Sequence, residues 1–136
     1  KRQVPPVVAR LPAQDLVPES VRYFHHHTWL NRHYFVADTN ILRIGRRTEA
    51  VLARYTGKAG SYLVLLVEYP DGQQARQAEL SFLRSYLSDA IDGVAQLEDG
   101  RWTGVRRVGD SLVVVLDAPA SEAVQAVLSK MDIEEE

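Results

Sequence analysis

The chain has 136 residues, with 16 Lys and Arg against 18 Asp and Glu and a net charge of −2. Apolar residues make up 46% and charged residues 25%, the proportions of an ordinary folded domain, which excludes disorder, collagen and coiled coil as its main state. There is no cysteine, so disulfides, iron–sulfur clusters and thiolate zinc sites are impossible, and no apolar run approaches the roughly 18 residues of a membrane-spanning helix.

At this length one domain is expected, burying roughly 68% of the unfolded chain's surface. The sequence begins at Lys1 and its only methionine is Met131, so it reads as part of a longer protein. Charge is lopsided: residues 1–58 carry ten cations and four acids, and residues 59–136 carry six and fourteen. The cations are mostly isolated arginines, apart from the pairs Lys1-Arg2, Arg46-Arg47 and Arg106-Arg107. Nucleic-acid binding needs a basic cluster, so none is expected, and the two halves are read as neutralising one another.

Residues 1–20 hold four of the six prolines, Pro5, Pro6, Pro12 and Pro18, and read as a Pro-rich N-terminal arm. Leu11, Leu16 and Val17 could pin it to a single domain over residues 21–136. Val21 to Phe24 suits a short strand, and Thr28 suits the N-cap of a short helix over residues 29–35. Residues 48–55 have strand character, and Thr56 to Gly60 is a turn with two glycines. Residues 61–69 (SYLVLLVEY) form a strongly apolar strand that pairs back as a hairpin, ended by Pro70. Its alternation sets Tyr62, Val64, Leu66 and Glu68 on one face and Leu63, Leu65, Val67 and Tyr69 on the other. Both sets are largely apolar, so both faces should be covered there.

A helix follows over about residues 72–88. Asp71 caps it, with Gln74 at capping-box spacing. Its apolar stripe is Ala75, Ala78, Phe82, Leu83, Tyr86 and Leu87, with Arg84 on the other side. Asp99-Gly100 turns the chain between strands at 94–98 and 101–108, and Gly109-Asp110 turns it into a strand at 111–117. Pro119 suits the first turn of a last helix over about 119–131, whose apolar face is Ala123, Val124, Val127, Leu128 and Met131. Ile133 to Glu136 reads as a frayed acidic tail.

An offset of 49 residues sets Gly60 on Gly109, Leu63 on Leu112, Val64 on Val113, Val67 on Leu116, Glu68 on Asp117 and Pro70 on Pro119. Each half reads strand, glycine turn, apolar strand, proline, helix, which suggests a ββα duplication. The expected fold is α+β: a two-layer sandwich with an antiparallel sheet of about four or five strands and two main helices on one face. Strand order is not readable; a ferredoxin-like and a hairpin-swapped order are both compatible.

Leu11-Pro12, the stretch Leu16 to Phe24 (LVPESVRYF), Gly45 to Tyr55, Tyr62 to Pro70 (YLVLLVEYP) and a helix containing Ala75 together resemble a bacterial family described as domain of unknown function 6599. The likeness covers roughly residues 11–119, and its motifs are structural rather than chemical. It implies no enzyme class. It does imply a bacterial origin and an exported or envelope-associated protein.

His25-His26-His27 with His33 is the one conspicuous cluster of metal-binding side chains. On a strand His25 and His27 would share a face, and Asp38 is the nearest acid that could join them. The spacing lacks the H-E-x-x-H pattern, so surface or hydrogen-bonded histidines are expected, and no metal or other cofactor. None of the serines lies in a nucleophile elbow, and the glycines serve turns. The pairs Asp89/Asp92 and Glu98/Asp99 sit at turns, where solvated acids are routine. Glu68 and Asp117 end apolar strands just before helix starts, where the helix dipole favours an acid. No catalytic residue is therefore assigned. The expected function is a non-enzymatic binding or interaction module for a protein or small molecule; the alternative is a metal-dependent enzyme using the region His25 to His33.

Overall fold

The two-sided apolar pattern of residues 61–69 governs the architecture. In the computed structural model, which describes residues 6–12, 14–33 and 40–135, this segment is β3 (Gly60–Glu68), second neighbour to one edge of a single antiparallel sheet. The other strands are β1 (Arg22–Phe24), β2 (Glu49–Gly57), β4 (Val94–Gln96), β5 (Trp102–Val108) and β6 (Ser111–Ala118), in the order β1-β2-β3-β6-β5-β4. The helices are α1 (Pro6–Ala9), α2 (His27–His33), α3 (Gly72–Tyr86) and α4 (Ser121–Glu135). The α+β class and the antiparallel sheet are as expected. The sheet has six strands rather than four or five, because three-residue strands close both of its edges.

Each face of the sheet has its own core. Leu63, Leu65 and Val67 of β3 join Leu112, Val114 and Leu116 of β6 beneath Ala75, Ala78 and Phe82 of α3. Tyr62, Val64 and Leu66 join Val113 and Val115 beneath Val124, Val127 and Leu128 of α4. The first face also takes Phe24, Leu30, Ile41, Leu42 and Ile44, and the second takes Val7 and Leu11. The faces of β3 therefore divide as its alternation predicts. The placement of both long helices on one face is corrected: α3 and α4 pack on opposite faces.

The reason lies at one residue. Leu65 pairs with Val114, its counterpart at the offset of 49, and the pairing is reciprocal about that position, Leu63 facing Leu116 and Val67 facing Leu112. The offset thus relates the faces of the two hairpins. At the strand ends it fails. After Val67, Glu68 keeps the alternation, and Tyr69 returns to the α3 face. After Leu116, Asp117 adopts φ 57°, in the left-handed region, and Ala118 lands on the α4 face. The pairing registers the same event as a bulge: Trp102 and Gly104 of β5, two positions apart, face Ala118 and Val115 of β6, three apart. A bulge with one left-handed residue turns the strand about its axis. Arg101 fastens it, with Nε donating to Asp117 Oδ1 at 3.0 Å and Nη2 to the Asp117 carbonyl at 2.5 Å and the Ser61 carbonyl at 3.1 Å.

Local signals mostly behave as their chemistry dictates. The Asp71 carboxylate accepts from Gln74 N at 2.8 Å and so caps α3. The cap of α2 is a correction: the helix starts at His27, and His26 rather than Thr28 precedes it. His26 Nδ1 accepts from the Thr28 hydroxyl at 2.8 Å and from its amide at 3.3 Å. At the other end α4 continues to Glu135 in place of the expected frayed tail. Gly104 lets α4 approach, since a methyl there would collide with Val124 Cγ1. Leu11 is buried, Leu16 bridges to Tyr55, and Val17 N donates to the Arg54 carbonyl at 2.9 Å.

Candidate functional site

The histidines come first, because the sequence offers them as the metal-binding alternative. His25 follows β1, and its Nδ1 donates to the Thr48 carbonyl at 2.7 Å, while its ring stands edge-on to Tyr23. His26 is engaged at the start of α2. The side chains of His27 and His33, and all of Asp38, lie outside the described residues. Among the described residues no three His, Asp or Glu side chains converge as a metal site would require.

The strand-end acids are both held by arginines. Glu68 belongs to a polar row at the end of the α4-side face, where Glu49 of β2 faces Glu68 of β3 and Glu68 faces Ser111 of β6. Two carboxylates opposite each other on neighbouring strands repel. Arg10, carried over the row from α1, donates to Glu68 Oε2 at 2.9 Å and also to the Ser111 hydroxyl. The Tyr23 hydroxyl donates to Glu49 Oε1. Burial, that hydrogen bond and the charges of Glu49 and Glu68 together push the Tyr23 phenol up to about 12. A phenol shifted that way is a poorer acid, the opposite of an activated nucleophile. Asp117 is spent on Arg101. Of the turn acids, Asp99 Oδ1 accepts from Arg101 N at 2.9 Å, and Asp92 occupies a left-handed turn position with φ 53°. The structure thus gives each of these groups its own partner or turn and does not bring them together around one concavity.

A concavity with unspent polar groups lies elsewhere, between the C-terminal half of α4 and Pro12, Gln14 and Asp15, which lead into the bridge of Leu16 to Tyr55. It has a volume of about 280 Å³ and is lined by Pro12, Gln14, Asp15, Tyr55, Tyr62, Ala126, Val127 and Lys130. The β2–β3 hairpin builds its floor: Tyr55 faces Tyr62 in the register, and the rings stack at 5.6 Å with 11° between planes. The Tyr55 hydroxyl donates to the Pro12 carbonyl at 2.6 Å, which ties Pro12 to the floor. Asp15 is held at φ 69° while its carbonyl accepts from Thr56 N at 2.9 Å. Among the described residues no hydrogen bond or ion pair engages the Tyr62 hydroxyl, the Asp15 carboxylate or the Lys130 ammonium. Burial, with the Asp15 charge added, raises the Tyr62 phenol above its ordinary value, so it stays protonated and able to donate at neutral pH.

An aromatic floor with a hydroxyl, an acid on one rim and a base on the other can hold and orient a polar ligand. Sequence reading did not find this cleft. The hairpin register alone would have stacked Tyr55 on Tyr62, since the Gly57 to Gly60 turn fixes which residues face. Asp15 and Lys130 are far apart in the chain, and nothing in their spacing joins them. No family model matches the chain, and neither any curated protein nor any solved structure does.

Proposed function

We propose that this domain is a non-enzymatic binding or interaction module of the bacterial envelope, and that the cleft over Tyr55 and Tyr62 is where it takes a small polar ligand. The observation that carries this reading is the division of labour among polar groups. Glu68, Asp117 and His25 are each committed to partners that hold the fold. The Tyr62 hydroxyl, the Asp15 carboxylate and the Lys130 ammonium line a concavity and, among the described residues, take part in no hydrogen bond or ion pair. The envelope assignment rests on the resemblance of residues 11–119 to the bacterial family; no helix among the described residues is long and apolar enough to cross a membrane. The metal-dependent alternative would draw on His27, His33 and Asp38, whose side chains lie outside the described residues.

The test has two arms. Turnover screens on generic esters, phosphates and glycosides should stay at background. Saturation-transfer NMR with a library of small polar aromatic compounds should return binders whose signals vanish in Tyr62→Ala and in Lys130→Glu. Turnover that co-purifies with the protein and disappears in His25→Ala would replace this reading with an enzyme. Binders that ignore both cleft substitutions would remove the cleft from it.

A further inference from the structure

The first half of the chain carries an excess of arginine, and two of those arginines meet on the α3-side face, at the end of the sheet that α3 leaves uncovered. Arg22 of β1 faces Leu52 of β2, so Arg22, Leu52 and Arg54 project to the same side. Diagonal neighbours of this kind sit roughly 7–8 Å apart. Between them lies a hollow of about 200 Å³ lined by Ser20, Arg22, Leu52, Ala53, Arg54 and Leu63. Its floor is apolar, since Leu52 and Leu63 are buried core residues. Both arginines are exposed at its rim.

The two guanidinium groups are prepared differently. Arg22 is oriented by its own backbone: Nη1 donates to the Glu19 carbonyl at 2.8 Å and to the Val21 carbonyl at 2.9 Å. Those acceptors are neutral, so its charge is not cancelled, and its remaining N–H groups are left to donate elsewhere. Among the described residues the Arg54 side chain makes no hydrogen bond or ion pair. Its backbone, by contrast, is fixed on both sides, with Arg54 N donating to Ser20 Oγ at 2.7 Å and its carbonyl accepting from Val17 N. Ser20 also donates to the Val17 carbonyl at 2.6 Å, so it serves as scaffold and not as a ligand group. No carboxylate lines the hollow. The ion pair of Arg101 with Asp117 is closed on itself beside Ser61.

We propose that this hollow is an anion site for a small phosphate monoester. Two uncancelled guanidinium charges match the charge of a dianionic phosphate, and planar guanidinium forks suit its oxygens. The leucine floor offers nothing to hydrogen-bond, so it takes the organic body of the ester rather than more oxyanion. The site lies on the opposite face from the tyrosine cleft and stands or falls independently of it.

Titration of the full chain with phenyl phosphate, followed by amide and methyl NMR, tests the proposal. Saturable shifts should centre on Arg22, Leu52, Arg54 and Leu63. Arg54→Ala should weaken binding at least tenfold, and Arg84→Ala, on α3, should leave it unchanged. Arg54→Lys, which keeps the charge but loses the fork, should fall between. Four outcomes would overturn the assignment. Shifts that do not saturate, or that survive Arg54→Glu, would remove the site. Benzoate binding as tightly as phenyl phosphate would remove the dianion. Inorganic phosphate binding as tightly would remove the role of the leucine floor.

Discussion

Asp117 shows how much a single backbone angle can decide. Its left-handed φ sends α4 to the face opposite α3, whereas Glu68, its counterpart at the offset of 49, keeps the strand alternation. Aspartate enters the left-handed region more readily than most residues, because its short polar side chain bonds locally. Asp117→Gly should therefore keep the fold, losing only the half-exposed pair with Arg101, worth about 1 kcal/mol or less. Asp117→Val should cost about 1–3 kcal/mol more, since a β-branched side chain is strained there. Urea titrations of the two variants measure the difference; equal midpoints would mean that the angle is not what holds the turn. Tyr23 supplies a second test at this scale. Its phenol is raised to about 12, first by burial and then by Glu49, against an ordinary value of 10.0. The folded state thus keeps a proton that the unfolded state gives up between pH 10 and about 12. The stability this represents is complete below pH 10 and is lost as pH rises through that window. Glu49→Gln removes one charge facing the phenol, so it should lower the Tyr23 midpoint in an ultraviolet titration and shrink the alkaline loss. A midpoint unmoved by Glu49→Gln would leave burial and the Glu68 charge as its causes.

Among the elements, β3 and α3 were the most legible in the sequence, and for physical reasons. A run of apolar residues bounded by Gly60 and Pro70 has no polar side to turn toward water, so it must be covered twice. The structure covers it with the α3-side core, which includes Ile41, Leu42 and Ile44, on one side and with Val7 and Leu11 on the other. That two-sidedness was itself the sign that the helices could not share a face. It lost out to the offset of 49, which relates the strands correctly and the helices not at all. The Asp117 bulge was not readable, because Asp and Glu carry the same charge and nearly the same pattern. The stripe of α3 behaves as its periodicity says: Ala75, Ala78 and Phe82 are wholly buried, and Leu83 and Tyr86 pack at the margin. Phe82→Ala should cost about 3–5 kcal/mol through the cavity it opens under the sheet. Arg84→Ala, in the exposed groove on the far side, should cost little. Equal small losses in a denaturant titration would mean that α3 does not pack through Phe82. The candidate sites were less legible. Tyr62 and Tyr55 needed only the hairpin register, but Asp15 and Lys130 needed the whole fold, as did the meeting of Arg22 with Arg54 across the β1–β2 pair.

For the molecule as a whole, the decisive question is what closes the second face of the sheet. The helix α4 reaches across β4, β5 and β6, and the remainder over β2 and β3 falls to the segment at residues 6–12. Val7 is fully buried and Leu11 nearly so. Arg10 stands between them and lies over the facing carboxylates, binding Glu68. This segment, read from its prolines as an arm, therefore combines an apolar plug with the counter-charge for a row of acids. The Tyr55 hydroxyl ties down its far end at Pro12. Removing residues 1–11 should uncover two aliphatic side chains' worth of core, about 3–6 kcal/mol by area and an upper bound. It should also leave Glu49 and Glu68 facing each other without Arg10. A lower urea midpoint and new binding of a hydrophobic dye are the expected readouts. Arg10→Ala in the full chain separates the two contributions, because a half-exposed ion pair is worth only about 0.2–1 kcal/mol. Most of the loss should follow Val7 and Leu11, and Val7→Asp should reproduce it by placing an unpaired charge against the sheet. A shortened chain with an unchanged midpoint and no dye binding would show that α4 closes this face alone.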